Sequence, residues 1–385
     1  MSSQGSQRLV SASCHCGAFN FSLEIDESTL PQLHTLCHCN SCRRRTGQLA
    51  EVTFSLPPTF RPSEEQRAVL TAYTTHRGIG PVTTYFCSTC GAKTFTETSR
   101  LSLSTGLIKG GIDGLMKFTG HSWVGDTKDG GFADMMLPAD DPRYVEEGED
   151  SGLFVQKQMQ MQTDAAAAPA ASEHLPMHCD CGAFLVYISR PAPTLPLPKN
   201  CYWYRPPVAE GTGLPTRFMA TFCGCTSCRT ATGSMFPAHP WAQIPFVDLR
   251  VKDSQSGAMK PFLHTTQAPA GVEAPVSGIA LGTTIPGLTL YHSSAENARY
   301  HCTTCGATVL YFDSSRAWLG TWAAGLVDDP KGVRAESWLS WWTGQEGHPM
   351  GAIHCYDEAR THDARGAEDL KAGLEAWGRK VGQRK

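Results

Sequence analysis

The sequence predicts a mainly β protein: two tandem zinc-binding modules of antiparallel strands, closed by a C-terminal helix. Three observations predict it. Cysteine-bearing turns recur in the same order in both halves of the chain. β-rich runs follow these turns, as in AFNFSLEI after Cys14-His15-Cys16-Gly17 and ATVLYFD up to Asp313. Gly and Pro punctuate the runs at short intervals, as in sheets of short strands.

The repeat comes first in the argument. CHCGAFNFSLEI from Cys14 is echoed by CDCGAFLVYISR from Cys179. CHCNSCRRRTG from Cys37 is echoed by CGCTSCRTATG from Cys223, and YFCSTCGAKTF from Tyr85 by YHCTTCGATVL from Tyr300. The intervals grow along the second copy, which places an insertion after each of its first two clusters. With the last register carried on, Ser122-Trp123 falls over Ser337-Trp338 and Val124 over Leu339. Of the 16 cysteines, only Cys201 and Cys355 lie outside the two sets, and both read as ordinary thiols.

The join is also legible. Residues 141–176 run from acidic through Gln/Met-rich to Ala/Pro-rich, a composition that cannot bury a core. The expected division is therefore 1–140 for the first module, 141–176 for the linker and 177–385 for the second module. RPAPTLPLPKN from Arg190 and QAPAGVEAPVSG from Gln267 read as surface insertions of the second copy. Leu370, Leu374, Trp377 and Val381 recur at helical spacing, a stripe expected to dock onto the second module.

The 385 residues are enough for two domains, and 41% apolar residues are enough for real cores. A net charge of -3 gives no sign of a nucleic-acid partner. The N-terminus lacks the apolar stretch of a secretory signal, and no run reaches the length of a membrane span. These features predict a cytoplasmic protein, with the nucleus as the alternative. In a reducing compartment clustered cysteines are metal ligands or catalytic groups rather than disulfides.

C-x-C and C-x-x-C each put two sulfurs on one tight turn, and structural zinc takes four. Pairing the first and last turns gives Cys14, Cys16, Cys87 and Cys90 in one copy and Cys179, Cys181, Cys302 and Cys305 in the other. The middle clusters, Cys37, Cys39 and Cys42, and Cys223, Cys225 and Cys228, then have three ligands each. Up to four Zn2+ per chain are expected. Three protein ligands plus an exchangeable position is the layout of a catalytic zinc, and a soft tris-thiolate site suits a thiol substrate. The alternatives are that His34, His38 or His121 completes the first middle cluster, or that its thiols share a metal with the outer set. Arg43, Arg44 and Arg45 follow the cluster and would suit the carboxylates of glutathione. Arg43 is the first choice, because Arg229 repeats it.

The set C-x-C-G, C-H-C-x-x-C-R and F-C-x-x-C-G resembles the glutathione-dependent formaldehyde-activating enzyme family, which includes centromere protein V, in both halves. The resemblance implies a β-tent fold for each module. It implies a structural zinc on the outer four cysteines and a second zinc on the middle three. It also implies addition of glutathione to formaldehyde, giving S-hydroxymethylglutathione, a carbon–sulfur lyase reaction. Cys37, Cys39 and Cys42 would then carry the chemistry, with His38 or His121 supplying a proton. The first copy is expected to be the active one, because the second has Gly224 and Glu336 where the first has His38 and His121. Two alternatives stand beside this reading: a zinc scaffold that binds a protein partner, and a thiol redox or metal sensor.

Overall fold

The computed structural model describes residues 6–77, 80–136, 138, 140–154, 173–191, 217–264, 283–316, 319–344 and 350–381. Cys201 and most of the two expected insertion loops lie outside the described residues. In the first half the strands are β1 (Gln7–Ser13), β2 (Asn20–Asp26), β3 (Gln32–Cys37), β4 (Thr53–Ser55), β5 (Leu70–Arg77), β6 (Gly80–Cys87), β7 (Lys93–Glu97), β8 (Leu101–Ser104) and β9 (Met116–Ser122). Helix α1 (Asn40–Thr46) follows β3, and α2 (Glu64–Ala68) precedes β5. β1 and β2 form a hairpin in which Val10, Ala12, Phe21 and Ile25 turn inward and Leu9 turns out, the period-two pattern of a half-buried strand. A second sheet runs in the order β4-β8-β7-β6-β5 with antiparallel neighbours, and β3 pairs in parallel with β9.

The second half contains β10 (His174–His178), β11 (Phe184–Ser189), β12 (Phe218–Cys223), β13 (Ala238–Gln243), β14 (Val247–Lys252), β15 (Met259–His264) and β16 (Leu288–His292). It continues with β17 (Asn297–Cys302), β18 (Thr308–Asp313), β19 (Leu319–Trp322), β20 (Leu339–Trp341) and β21 (Ile353–His354). Helix α3 (Thr226–Thr232) follows β12, and α4 (Tyr356–His362) and α5 (Ala364–Lys380) close the described chain. The order β13-β19-β18-β17-β16 repeats the five-stranded order of the first half, and β12 again takes a parallel neighbour, here β20 and then β21. The architecture is mainly β, with antiparallel sheets and a C-terminal helix. Among the described residues no helix is long and apolar enough to cross a membrane.

The halves interlock through paired contacts. Arg43 of α1 donates to the carbonyls of Gly325 and Val327, while Arg229 of α3 donates to those of Gly106 and Ile108. Gly325 N bonds Gly47 O and Gly106 N bonds Gly233 O, both at 3.0 Å. A Cβ on Gly325 would lie 2.3 Å from Gln48 N, and one on Gly106 2.4 Å from Gly233 C, so only glycine permits this approach. One continuous core runs across the join: Phe132 packs on Phe222, which packs on Trp341.

Two ends of the stretch 141–176 carry structure. Residues 142–146 bond along β9, with His121 N on Pro142 O and Trp123 N on Glu146 O, and His174–Pro176 lie in β10. Within the second stretch of extra chain, Val247–Lys252 and Met259–His264 extend the β10–β11 hairpin into a four-stranded sheet. The C-terminal stripe docks on both halves. Leu370, Leu374 and Trp377 are buried, and α5 is pressed so close that a Cβ on Gly373 would lie 2.3 Å from Met135 O. Gly378 faces Thr343 of the second half, and Val381 is left 39% exposed at the helix end.

Candidate metal centres and thiol pocket

The outer clusters assemble because two strand-end turns meet. Cys14 and Cys16 sit on the β1–β2 turn, where Gly17 takes a left-handed φ of 76°, and Cys87 and Cys90 on the β6–β7 turn, where Gly91 does the same at 76°. Their four sulfurs lie within 4.8 Å of one another, as do those of Cys179, Cys181, Cys302 and Cys305. Neighbouring sulfurs are 3.5 Å apart for Cys14–Cys16 and for Cys16–Cys87. A disulfide needs about 2.0 Å. A zinc ion about 2.3 Å from each of four sulfurs spaces them about 3.8 Å apart, so the donor sets fit that ion. Without a cation the sulfurs conflict: the hydrogen bond with Cys87 pushes the Cys14 thiol up to about 12, while that with Cys90 brings Cys16 down to about 7.

The first inner cluster is built at the start of α1. Cys39 is the N-cap, and its sulfur accepts the Cys42 N–H at 3.3 Å. Gly47 ends the helix with φ 79°. Cys37 Sγ lies 3.2 Å from Cys39 Sγ and 3.5 Å from Cys42 Sγ. Among the described residues no fourth Cys, His, Asp or Glu atom lies within 4.8 Å of all three sulfurs. Cys37 and Cys42 instead border a cavity of about 250 Å³ that is also lined by Arg45, Glu51, Ser122 and Trp123.

The three arginines divide between two jobs. Arg43 is 1% exposed, with its guanidinium engaged by the Gly325 and Val327 carbonyls and the Asn40 side chain. Arg44 pairs with Asp328 of the second half. Only Arg45 turns to the cavity. It approaches Cys42 Sγ at 3.4 Å and forms an ion pair with Glu51 and a hydrogen bond to Thr84. Glu51 also accepts from Thr96 Oγ1 at 3.1 Å, and burial pushes its carboxyl up to about 7 against the pull of Arg45. His38 and His121 do not border this cavity. They bond each other at 2.9 Å, His38 is 0% exposed, and burial holds His38 well below its usual range and His121 at about 3.

Residues 9–125 match the family model described as glutathione-dependent formaldehyde-activating enzyme. The matched stretch holds the seven clustered cysteines of the first half together with Arg45, Glu51 and Trp123. No curated protein matches the chain.

The second half departs from the matched stretch around the same three sulfurs. Cys225 caps α3 as Cys39 caps α1, and its sulfur accepts Cys228 N–H at 3.2 Å. A guanidinium again reaches the third cysteine, but from another element. Ala231 stands where Arg45 would be, and Arg299 of β17 approaches Cys228 Sγ at 3.6 Å from the place that Thr84 holds in β6. Glu51 is replaced by Pro237: each gives its carbonyl to the first cysteine of the cluster, Cys37 or Cys223, at 2.8 Å.

The register drawn at Ser337-Trp338 is not the structural one. In the matched stretch Ser122 pairs with Cys37 and its carbonyl accepts His38 N at 2.9 Å. In the second half His354 pairs with Cys223 and accepts Gly224 N at 2.8 Å. Trp123 and Cys355 follow in matching left-handed conformations, φ 59° and 55°. Asp126 then accepts Asn40 N at 2.8 Å, and Glu358 accepts Thr226 N at 2.6 Å, each at the start of its helix. Ser122 therefore corresponds to His354, Trp123 to Cys355 and His121 to Ile353 rather than Glu336. Cys355, read from sequence as an ordinary thiol, stands beside a cysteine cluster. Sequence reasoning also missed Glu51, whose one signal is a single acid within the apolar run QLAEVTF.

Proposed function

We propose that the chain is a zinc protein whose first half binds a thiol–aldehyde adduct and acts as a carbon–sulfur lyase on the glutathione–formaldehyde pair. The observation that carries this reading is the first inner cluster: three sulfurs that no fourth donor among the described residues joins, facing a cavity. The family match over residues 9–125 supports the choice of thiol and aldehyde. Cys37, Cys39 and Cys42 would hold a zinc ion, which when bound supplies Lewis-acid stabilisation of a thiolate.

The chain's own residues do the rest. In the synthetic direction the glutathione sulfur bonds to the carbonyl carbon. The C=O π pair moves to oxygen, and the thiol proton ends on that oxygen; no oxidant or reductant enters. Glu51, at the cavity wall, would hold that proton, a role the sequence assigned to His38 or His121. Arg45 fixes the Glu51 carboxylate and keeps positive charge beside Cys42. Trp123 walls the cavity from the turn after β9, and the cavity would hold the two reactants together. Arg43 and Arg44 serve the join between halves, which leaves Arg45 as the arginine available to a ligand.

The reciprocal contacts of Arg43 and Arg229 support reading the two halves as tandem copies, with the second copy structural. The test is the exchange rate of glutathione and formaldehyde with their adduct, followed by NMR. The wild type and Cys223→Ser are expected to accelerate exchange, and Cys37→Ser to lose the acceleration while keeping its fold. Full acceleration by Cys37→Ser, or none by folded, zinc-loaded wild type, would sink the proposal.

A further inference from the structure

We infer that Cys355 is the fourth ligand of the second inner cluster, closing Cys223, Cys225 and Cys228 into a four-sulfur metal site. The inference rests on the zinc reading of the inner clusters and takes the second one a step further.

Cys355 occupies the backbone position that Trp123 holds over the first cluster, in the same left-handed conformation. Trp123 presents an indole to the space above Cys37 and Cys42, and no ligand atom. Cys355 presents a thiol beside those of Cys223 and Cys225; it does not lie within 4.8 Å of all three sulfurs, so a bound ion would draw it in to complete the set. His354 adds a second observation. Its Nδ1 lies 3.4 Å from Cys223 Sγ and 3.4 Å from Cys355 Sγ, so one ring nitrogen draws the two sulfurs toward each other. Metal-bound thiolates are held by such outer hydrogen bonds.

The surrounding fold fixes this placement. Cys355 is the first residue outside α4, and Glu358 of that helix bonds the first N–H of α3. The same helix explains the change from C-H-C to C-G-C. A Cβ on Gly224 would lie 2.4 Å from the Ala359 Cβ, so a histidine there would push α4, and Cys355 with it, off the cluster. Glycine at 224 is therefore part of the closed arrangement. In the first half the chain after Trp123 makes only one short 3-10 turn, Val124–Thr127, and His38 is kept. A closed site leaves no exchangeable position for a substrate thiol. Thiol chemistry is then confined to the first half.

The test is zinc content and zinc release from the full chain to a chromogenic chelator, for wild type, Cys355→Ala, His354→Ala and His239→Ala. His239 is included because it is buried beside Cys228 and its imidazole interacts with that thiol, which makes it the rival donor. The four clusters give an expected four zinc ions in wild type, one of them released fast from the open cluster. In Cys355→Ala a second ion should join the fast phase, while His239→Ala keeps one fast ion and His354→Ala, which removes only an outer partner, loosens the second inner ion less than Cys355→Ala does. Two fast ions in wild type, or an unchanged Cys355→Ala, would overturn the inference while leaving the zinc reading intact. A second fast ion produced by His354→Ala or His239→Ala but not by Cys355→Ala would assign the ligand to imidazole and overturn it as well. A wild type with only two zinc ions would fail the parent reading and this one together.

Discussion

The first and second inner clusters share three sulfurs, a helix N-cap and a left-handed glycine, yet their surroundings share little. Above the first lie Arg45, Glu51, Ser122 and Trp123, which make a polar cavity. Around the second lie Arg299, Pro237, His354 and Cys355, with the seven-residue helix α4 where the first half has a short 3-10 turn, Val124–Thr127. The cysteine turn is thus the constant part, because N-cap geometry and chelate spacing act within a few residues. What differs is delivered by neighbouring strands and by the chain after β9 or β21. The contrast teaches that ligand count is decided by these distant residues.

The largest effect expected is on the outer clusters, where the halves should behave alike. Structural zinc in small domains is worth about 10–16 kcal/mol of binding that is also folding energy. Cys90→Ser and Cys305→Ser are each expected to lose one zinc and most of the cooperative thermal transition, read by metal analysis and calorimetry. The core runs unbroken from Phe132 through Phe222 to Trp341, so either variant should destabilise the whole chain. Two separate transitions, one untouched by each variant, would break the picture of interlocked halves.

An exchange of the covering residues sharpens the comparison next. Ser122→His with Trp123→Cys carries the second-half pair onto the first cluster. The double variant should keep its zinc and fold, and lose glutathione–formaldehyde turnover by roughly 100-fold or more, since the open position is filled. Retained turnover would show that the covering residues do not decide the difference.

The join gives a smaller and symmetrical effect. Arg43→Met and Arg229→Met each leave two buried carbonyls without their charged donor, at a cost of roughly 2–4 kcal/mol per site. Urea titration should find the two losses similar. A loss confined to Arg43→Met would mean that the paired contacts are unequal in energy despite their matched geometry.

The sequence exposed the parts of this arrangement that are local. All four cysteine groups were legible because C-x-C and C-x-x-C bring sulfurs together within one turn, and the strands because alternation is local too. The ligands and neighbours that arrive through strand pairing were not. Glu51 meets Cys37 across a β-bridge, and Cys355 reaches its cluster only through the parallel pairing of β21 with β12. The repeated Ser-Trp dipeptide misled because two matching residues do not fix a register. Pairing and left-handed backbone conformation do, and they place His354-Cys355 there instead. The three arginines were legible as a group, but their directions were not. Successive positions on a helix point to different faces, so neighbours in sequence serve the join and the cavity separately.

The guanidinium beside the third cysteine is common to both halves, and it offers the finest discrimination. Arg45 stands 3.4 Å from Cys42 Sγ at the cavity of the first half, and Arg299 stands 3.6 Å from Cys228 Sγ in the second. Both stabilise a thiolate, but only Arg45 also fixes a carboxylate at the cavity wall. Arg45→Gln should lower turnover about tenfold, a loss of about 1.4 kcal/mol in transition-state stabilisation, chiefly in kcat. Arg45→Lys, which keeps the charge but not the fork, should recover part of it. Arg299→Gln should leave turnover unchanged and loosen only the second inner zinc, seen as faster release to chelator. If Arg299→Gln lowered kcat as much as Arg45→Gln, both clusters would be working sites, and the division between an open and a closed half would fail.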